Sequence, residues 1–314
     1  MLARLQQVTT LGLIAAALLW AAYFGARGEP VWAGTGALLL LFGYALVLAL
    51  EFVLLWFVNR NDPTPRATAW QLFKAWWGEV HTAARVFCWR QPFRSNAEPD
   101  HLPAGTQRRG VVFVHGFVCN RGLWNPLMAR LRALGVPFVA VNLEPVFGSI
   151  DRYADVIDAA VQKVRSATGS APVVVAHSMG GLATRAWLAA TQGDERVHRV
   201  ITIGTPHRGT FLGRFGRTNN TRQMRLGSEW QQQLAAREPP QRFERFTCFY
   251  GHCDNVVFPA STATLPGADN RHIVGTAHVH MAHHDDVFRE VLRWIGSESA
   301  GAVTRAEPGA TAAR

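Results

Sequence analysis

The sequence predicts an α/β fold, a mostly parallel sheet with helices on both faces, preceded by two transmembrane helices. Three observations carry this expectation. The first sixty residues hold two long apolar runs, a proline-interrupted break follows at residues 61–66, and from Gly110 onward short apolar runs alternate with amphipathic stretches. Strand followed by helix, repeated, is the pattern of a parallel sheet buried on both sides.

The apolar runs come first in the chain. Leu5 to Ala26 contains no charged residue, and Pro30 to Asn59 is broken only by Glu51. A helix needs about 20 residues to cross a hydrocarbon core of roughly 30 Å, and each run is that long. Joined by Arg27-Gly28-Glu29, they read as a two-helix membrane anchor over residues 1–60. For the first run a cleaved leader is the alternative, since a short basic start and a small-residue end at Gly25-Ala26 would serve. Arg4 before the first span, and Arg60, Arg66 and Lys74 after the second, place both ends of the anchor on the cytoplasmic side.

In "NDPTPR", residues 61–66, two prolines cannot continue a helix. Trp70, Phe73, Trp76, Trp77, Val80 and Ala84 then recur at three- and four-residue steps, as on one side of a helix. Tryptophan favours the boundary between membrane and water, so an interfacial amphipathic helix is expected within a linker over 61–109. A helix packed on the soluble core is the alternative.

The third unit is a catalytic domain over 110–296. Its candidate strands are Val111–Val114, Phe138–Val141, Val173–Ala176, Val200–Ile203, Phe246–Tyr250 and His272–Val274, with helices near Gly122–Leu134, Asp151–Ala167, Met179–Ala190 and His284–Ile295. Residues 297–314, mostly Ala, Gly, Ser, Glu and Arg without periodicity, read as a disordered tail.

Composition narrows the partners. The formal charge of +10 comes with no nucleic-acid recognition motif, and beside two membrane spans it suits anionic lipid headgroups better. Cys88, Cys119, Cys248 and Cys253 lack zinc spacing and are few for a disulfide scaffold, which fits a reducing compartment.

The chemistry centres on "AHSMGG". A buried strand runs directly into Ser178 and a helix follows it, the context of a nucleophile elbow. The turn is so sharp that bulky side chains two positions either side would clash, and those places hold Ala176 and Gly180. A serine that merely caps the helix is the alternative. Upstream, His115-Gly116 follows a strand, where backbone amides could receive the negative oxygen of acyl transfer. The donors would be Phe117 and Met179, the latter at a helix amino terminus. Gly116 permits close backbone approach, and His115 is read as shaping the loop at the substrate site.

A serine hydroxyl needs a base and an orienting acid. "FYGHCDNVVFP" offers Asp254 in the loop after a strand, and "HIVGTAHVHMAHHDD" offers a histidine cluster before the last helix. The order Ser, Asp, His is the one expected on such a sheet. Of the histidines, His278 falls first after the strand and the Gly275-Thr276-Ala277 turn; His280 is its rival. His283 and His284 are expected as surface residues opening the final helix, and His252 as a loop residue.

Together "VHGF", "AHSMGG", "GTPHRGT", "CDNVV" and "GTAHVHMA" resemble the α/β-hydrolase family, in particular its bacterial lipase and esterase branch, from about Gly110 to Ile295. The resemblance implies ester hydrolysis through an acyl-enzyme with Ser178, Asp254 and His278 as triad and an ester or lipid substrate; no cofactor is expected, and the apolar spans with their charge bias set the expected location at a bacterial inner membrane with the catalytic domain in the cytoplasm. Some lipases of this branch hold calcium through an aspartate two residues beyond the histidine; here that place is His280, so no metal is expected. "GTPHRGTFLGRFGRTNNTRQMRLGSEW" resembles the segment edging the active site, with His207 as a structural or pocket residue and five arginines that would draw anionic lipid.

"HVHMAHHDD" also invites a binuclear metal hydrolase, but Ala282 stands where that pattern wants aspartate. An acyltransferase using the same intermediate, and a non-catalytic scaffold, remain as alternatives.

Overall fold

The structure, a computed structural model, describes residues 1–296; the expected tail lies outside them. Three long helices open the chain: α1 (Leu2–Ala26), α2 (Pro30–Phe42) and α3 (Tyr44–Val58). The helices at Leu2–Ala26 and Tyr44–Asn61 are long and apolar enough to cross a membrane. Where one span over 30–59 was expected, the helix is interrupted at Gly43. A Cβ there would lie 2.4 Å from the Leu39 carbonyl oxygen, so the position suits glycine.

The helices on either side of Gly43 have different neighbours. α2 has no buried residue and packs against α1, where the Trp20 indole donates to the Trp32 carbonyl. α3 lies on the rest of the protein: Phe52 and Leu55 are buried, and the Tyr44 hydroxyl donates to the Val80 carbonyl. The first turns of α1 dock as well, Gln6 Nε2 donating to Gln91 Oε1 at 2.8 Å.

α4 (Ala69–Arg85) starts at a capping box, Thr68 Oγ1 accepting from the Gln71 amide while Gln71 Oε1 accepts from Thr68. Its two sides differ in exposure. Trp70, Phe73 and Trp77 are exposed, whereas Ala75, Glu79, Val80 and Ala83 are buried. Val80 therefore leaves the aromatic face on which the spacing had placed it. A π-helical turn (Val86–Arg90) and α5 (Gln91–Phe93) follow, with Val86 in the domain core. The expected linker is thus largely packed structure.

Six parallel strands form one sheet in the order β2-β1-β3-β4-β5-β6: β1 (Val111–Val114), β2 (Phe138–Ala140), β3 (Val173–His177), β4 (Arg199–Ile203), β5 (Phe246–Tyr250) and β6 (Asp269–His272). Alternate residues feed two cores. Val112, Val114, Val174 and Val200 meet α7 (Ala154–Thr168) and α8 (Met179–Thr191); Val111, Phe113, Val175 and Ile201 meet α6 (Asn125–Ala133) and α12 (Asp285–Gly296). Between β4 and β5 stand α9 (Asn219–Gln223) and α10 (Glu229–Ala236), and α11 (His278–Met281) precedes α12.

β6 begins earlier than the apolar signal at 272–274 suggested. It is an edge strand of polar residues, Asp-Asn-Arg-His, paired through its backbone to β5, so no hydrophobic pattern marks it.

Candidate active site

β3 ends at His177, and Ser178 turns the chain into α8 with φ 55° and ψ −128°. A non-glycine residue at positive φ is strained and persists only where surroundings impose it. The imposing contacts are backbone to backbone. A Cβ on Gly180 would lie 2.6 Å from the carbonyl oxygens of both Val114 and His115, which is the steric demand expected at that place. The Ser178 side chain makes no capping hydrogen bond to α8, so helix capping does not account for it.

The loop after β1 lies against the serine: a Cβ on Gly116 would be 2.8 Å from Ser178 Cβ. Phe117 is the next residue, and Met179 opens α8, where first-turn amides have no intrahelical partner. His115 is buried. Its Nε2 accepts from the Leu143 amide at 3.0 Å, which assigns the proton to Nδ1, donating to the Gly116 carbonyl at 2.9 Å. Burial pushes its pKa down to about 4, so the ring is neutral. Both ring nitrogens are thus spent on backbone groups of the loops after β1 and β2.

Asp254 and His278 come together from the loops after β5 and β6. His278 Nδ1 lies 3.0 Å from the Asp254 carboxylate, and Asp254 Oδ1 also accepts the amides of Val256 and Val257 at 3.0 and 2.8 Å. Burial alone would lower the His278 pKa; the Asp254 charge and hydrogen bond, joined by Glu79 and Glu51, reverse this and raise it. Gly204, with φ 54°, makes room: its Cβ would lie 2.8 Å from Asp254 Oδ2 and 3.0 Å from His278 Nδ1.

The other histidines go elsewhere. The His280 ring faces α4, 2.7 Å from where a Gly78 Cβ would be. His283 and His284 are half-buried and precede α12 instead of opening it on the surface: His283 Nε2 lies 3.4 Å from Arg90 Nη1, and His284 Nδ1 accepts the Asp286 amide. His207 is buried with Nε2 3.0 Å from Thr202 Oγ1, and the Arg185 guanidinium donates to its carbonyl. His252 is buried beside His272, ring centroids 4.6 Å apart.

Sequence reasoning missed three contributors. Asn255 Oδ1 accepts the His278 amide, Glu51 Oε2 accepts from Asn255 Nδ2, and Glu79 accepts the amides of Val279 and His280. Glu51 did leave a signal, as the one acid in an apolar run. Of the basic segment, Arg225 braces its own loop through the Gly213 and Gly216 carbonyls, while Arg214, Arg217 and Arg222 are exposed. All four cysteines are free thiols.

Known proteins resemble the chain in sequence and in fold. A sequence model of the Alpha/beta hydrolase family matches residues 111–306. Triacylglycerol lipases of Burkholderia plantarii and Pseudarthrobacter phenanthrenivorans are each 33% identical, over 132 and 118 residues. Those matches cover 38% and 34% of this chain, and the chain spans only 36% of the length of either lipase. Among solved structures, mature Bacillus licheniformis lipase BlEst2 has a TM-score of 0.54 at 18% identity, covering 62% of this chain and 95% of that one. Aspergillus fumigatus lipase B has a TM-score of 0.51 at 18% identity, covering 62% and 55%.

Proposed function

The chain belongs to the alpha/beta hydrolase family, and from that premise we propose that it is a membrane-anchored serine hydrolase cleaving carboxylic esters of lipid or other apolar acyl groups. The observation that carries the proposal is the strained Ser178 at the end of β3, whose neighbour His177 donates through Nε2 to the carbonyl of His278, the buried partner of Asp254.

In this reading Ser178 Oγ attacks the ester carbonyl while His278 Nε2, the ring atom not facing Asp254, takes its proton. Asp254 holds the tautomer and stabilises the imidazolium. The amides of Phe117 and Met179 receive the oxyanion. Collapse breaks the carbon–oxygen bond to the alcohol, which leaves with the proton from His278, and an acyl-serine forms. Water, deprotonated by the same imidazole, releases the acid. An alcohol in place of water would make the enzyme an acyltransferase.

The lipases among its relatives support an acyl-ester substrate, as does an apolar groove of about 350 Å³ between α3 and α4, lined by Phe52, Val53, Leu72, Phe73 and Trp76 among others. Phe52 packs with Cys253 and Ala277, the neighbours of Asp254 and His278.

Membrane attachment rests on the apolar helices, and the basic residues flanking them favour a cytoplasmic catalytic domain at a bacterial inner membrane. Gln6 of α1 and Asn59 after α3 both bond the catalytic side, at Val118 and Ala260, so the hairpin leaves and returns on one side. A second reading follows from α2. Its 13 residues extend about 20 Å, short of a crossing, and α3 is docked on the protein, which favours a hairpin that dips into the bilayer and turns back.

The test is labelling of the full-length protein by a fluorophosphonate, with turnover over a series of acyl-chain lengths. Labelling and turnover that vanish together in Ser178→Ala support the reading. Turnover that survives Ser178→Ala refutes it.

A further inference from the structure

We propose that Glu79 on α4 is a positioning residue for His278, assisted by Glu51 on α3 acting through Asn255. This rests on the serine-hydrolase reading above. The short helix α11 begins at His278, and the opening amides of any helix lack intrahelical partners. Here they are taken by side chains in succession. The His278 amide donates to Asn255 Oδ1 at 3.2 Å, that of Val279 to Glu79 Oε1 at 2.9 Å, and that of His280 to Glu79 Oε2 at 3.0 Å. Asn255 is in turn fixed by Glu51, whose Oε2 accepts from its Nδ2 at 2.6 Å.

Both glutamates belong to the segment before the hydrolase domain, so helices that read from sequence as anchor and linker hold the backbone of the catalytic base. The chain is built for this approach. Gly78, next to Glu79, leaves the space in which the His280 ring sits; a Cβ there would be 2.7 Å from its Nδ1. Glu79 is 1% exposed, and each of its oxygens accepts an amide. That geometry suits the carboxylate form, since a carboxylic acid would turn one of those oxygens into a donor, and with burial raising its pKa to about 7 Glu79 carries that charge above this pH.

A glutamine could accept only one of the two Glu79-bound amides, whereas the carboxylate accepts both. Two carboxylates add charge near an imidazole that becomes a cation during the reaction. The titratable groups facing His278 are Asp254 from the β5 loop, Glu51 from α3, Glu79 from α4, and His177 at the end of β3, whose ring centroid lies 4.5 Å away. Against the burial that disfavours its cation, the acids hold the His278 pKa above its ordinary value, so removing one of them should bring it down.

The experiment uses full-length protein in detergent micelles hydrolysing p-nitrophenyl butyrate, with kcat and KM measured against pH. Glu79→Gln should lower kcat about tenfold with KM little changed. It should also move the acid limb of kcat/KM down by about one unit. Glu51→Gln should shift the limb the same way, by less. Gly78→Ala disturbs the same loop sterically without removing charge; it should lower kcat and leave the limb in place. An unshifted limb in Glu79→Gln, or an equal shift in Gly78→Ala, overturns the proposal. Should Glu79→Gln fail to fold, Glu51→Gln against Gly78→Ala decides it by the same criterion. Turnover persisting in Ser178→Ala would refute instead the serine-hydrolase reading on which the proposal stands.

Discussion

The amide of Ser178 donates to the carbonyl of Ile203 at 2.8 Å, extending the β3–β4 ladder into the elbow itself. The residue after Ile203, Gly204, is thereby fixed beneath the Asp254–His278 pair, and one strand end serves both halves of the site.

Gly204→Ala tests that arrangement. The new methyl would lie 2.8 Å from Asp254 Oδ2 and 3.0 Å from His278 Nδ1, on a backbone whose φ of 54° already disfavours a side chain. Turnover should fall at least about tenfold, and stability by about 1–2 kcal/mol, measured by denaturant titration.

Asp254→Asn should keep the fold and lower kcat by about 10³–10⁴, because asparagine supports the wrong tautomer and no longer balances the imidazolium. The pH profile gives the sign independently. The base must be neutral to accept a proton, so activity rises with pH through the His278 pKa, which lies above 6.5. An acid limb below 6.5 in the wild type would contradict this.

Glu79 carries a stability signature separate from its effect on rate. Burial raises its pKa from 4.5 to about 7, against the lowering effect of the two amides it accepts. Below pH 4.5 both folded and unfolded chains hold the proton. Between 4.5 and about 7 the unfolded chain has released it while the folded chain retains it, so stability falls as pH rises, and above 7 the whole cost is present. Glu79→Gln should flatten the fall over that window, read as melting temperature against pH. An unchanged slope would show that Glu79 does not titrate there.

The hairpin is tested at its turn. In a Cys88→Ser background, Gly28→Cys should react with a membrane-impermeant maleimide in intact spheroplasts if the helices cross. Protection there, with labelling only after detergent is added, is the outcome for a hairpin that dips in and turns back.

Much of the fold was legible because its signals are local. The runs Val111–Val114 and Val173–Val175 are apolar at every position, as strands buried on both faces must be, and Ser178 sits between small residues because only those fit the turn. The Asp254–His278 pairing was legible as chain order. β6 was misplaced because an edge strand is held by backbone pairing and needs no apolar pattern. Val80 and His283 were put on the wrong surfaces because helical spacing says which residues share a face, not what that face meets.

By itself, then, the sequence determined the succession of strands and helices, the apolar opening and the residue types for nucleophilic chemistry, since each follows from near neighbours in the chain. Only the tertiary structure decided that α3 and α4 lie against the catalytic loops and that Glu51 and Glu79 reach Asn255 and α11. Those contacts join residues roughly two hundred positions apart, and a carboxylate's buried partner depends on how whole helices pack, which no local pattern records.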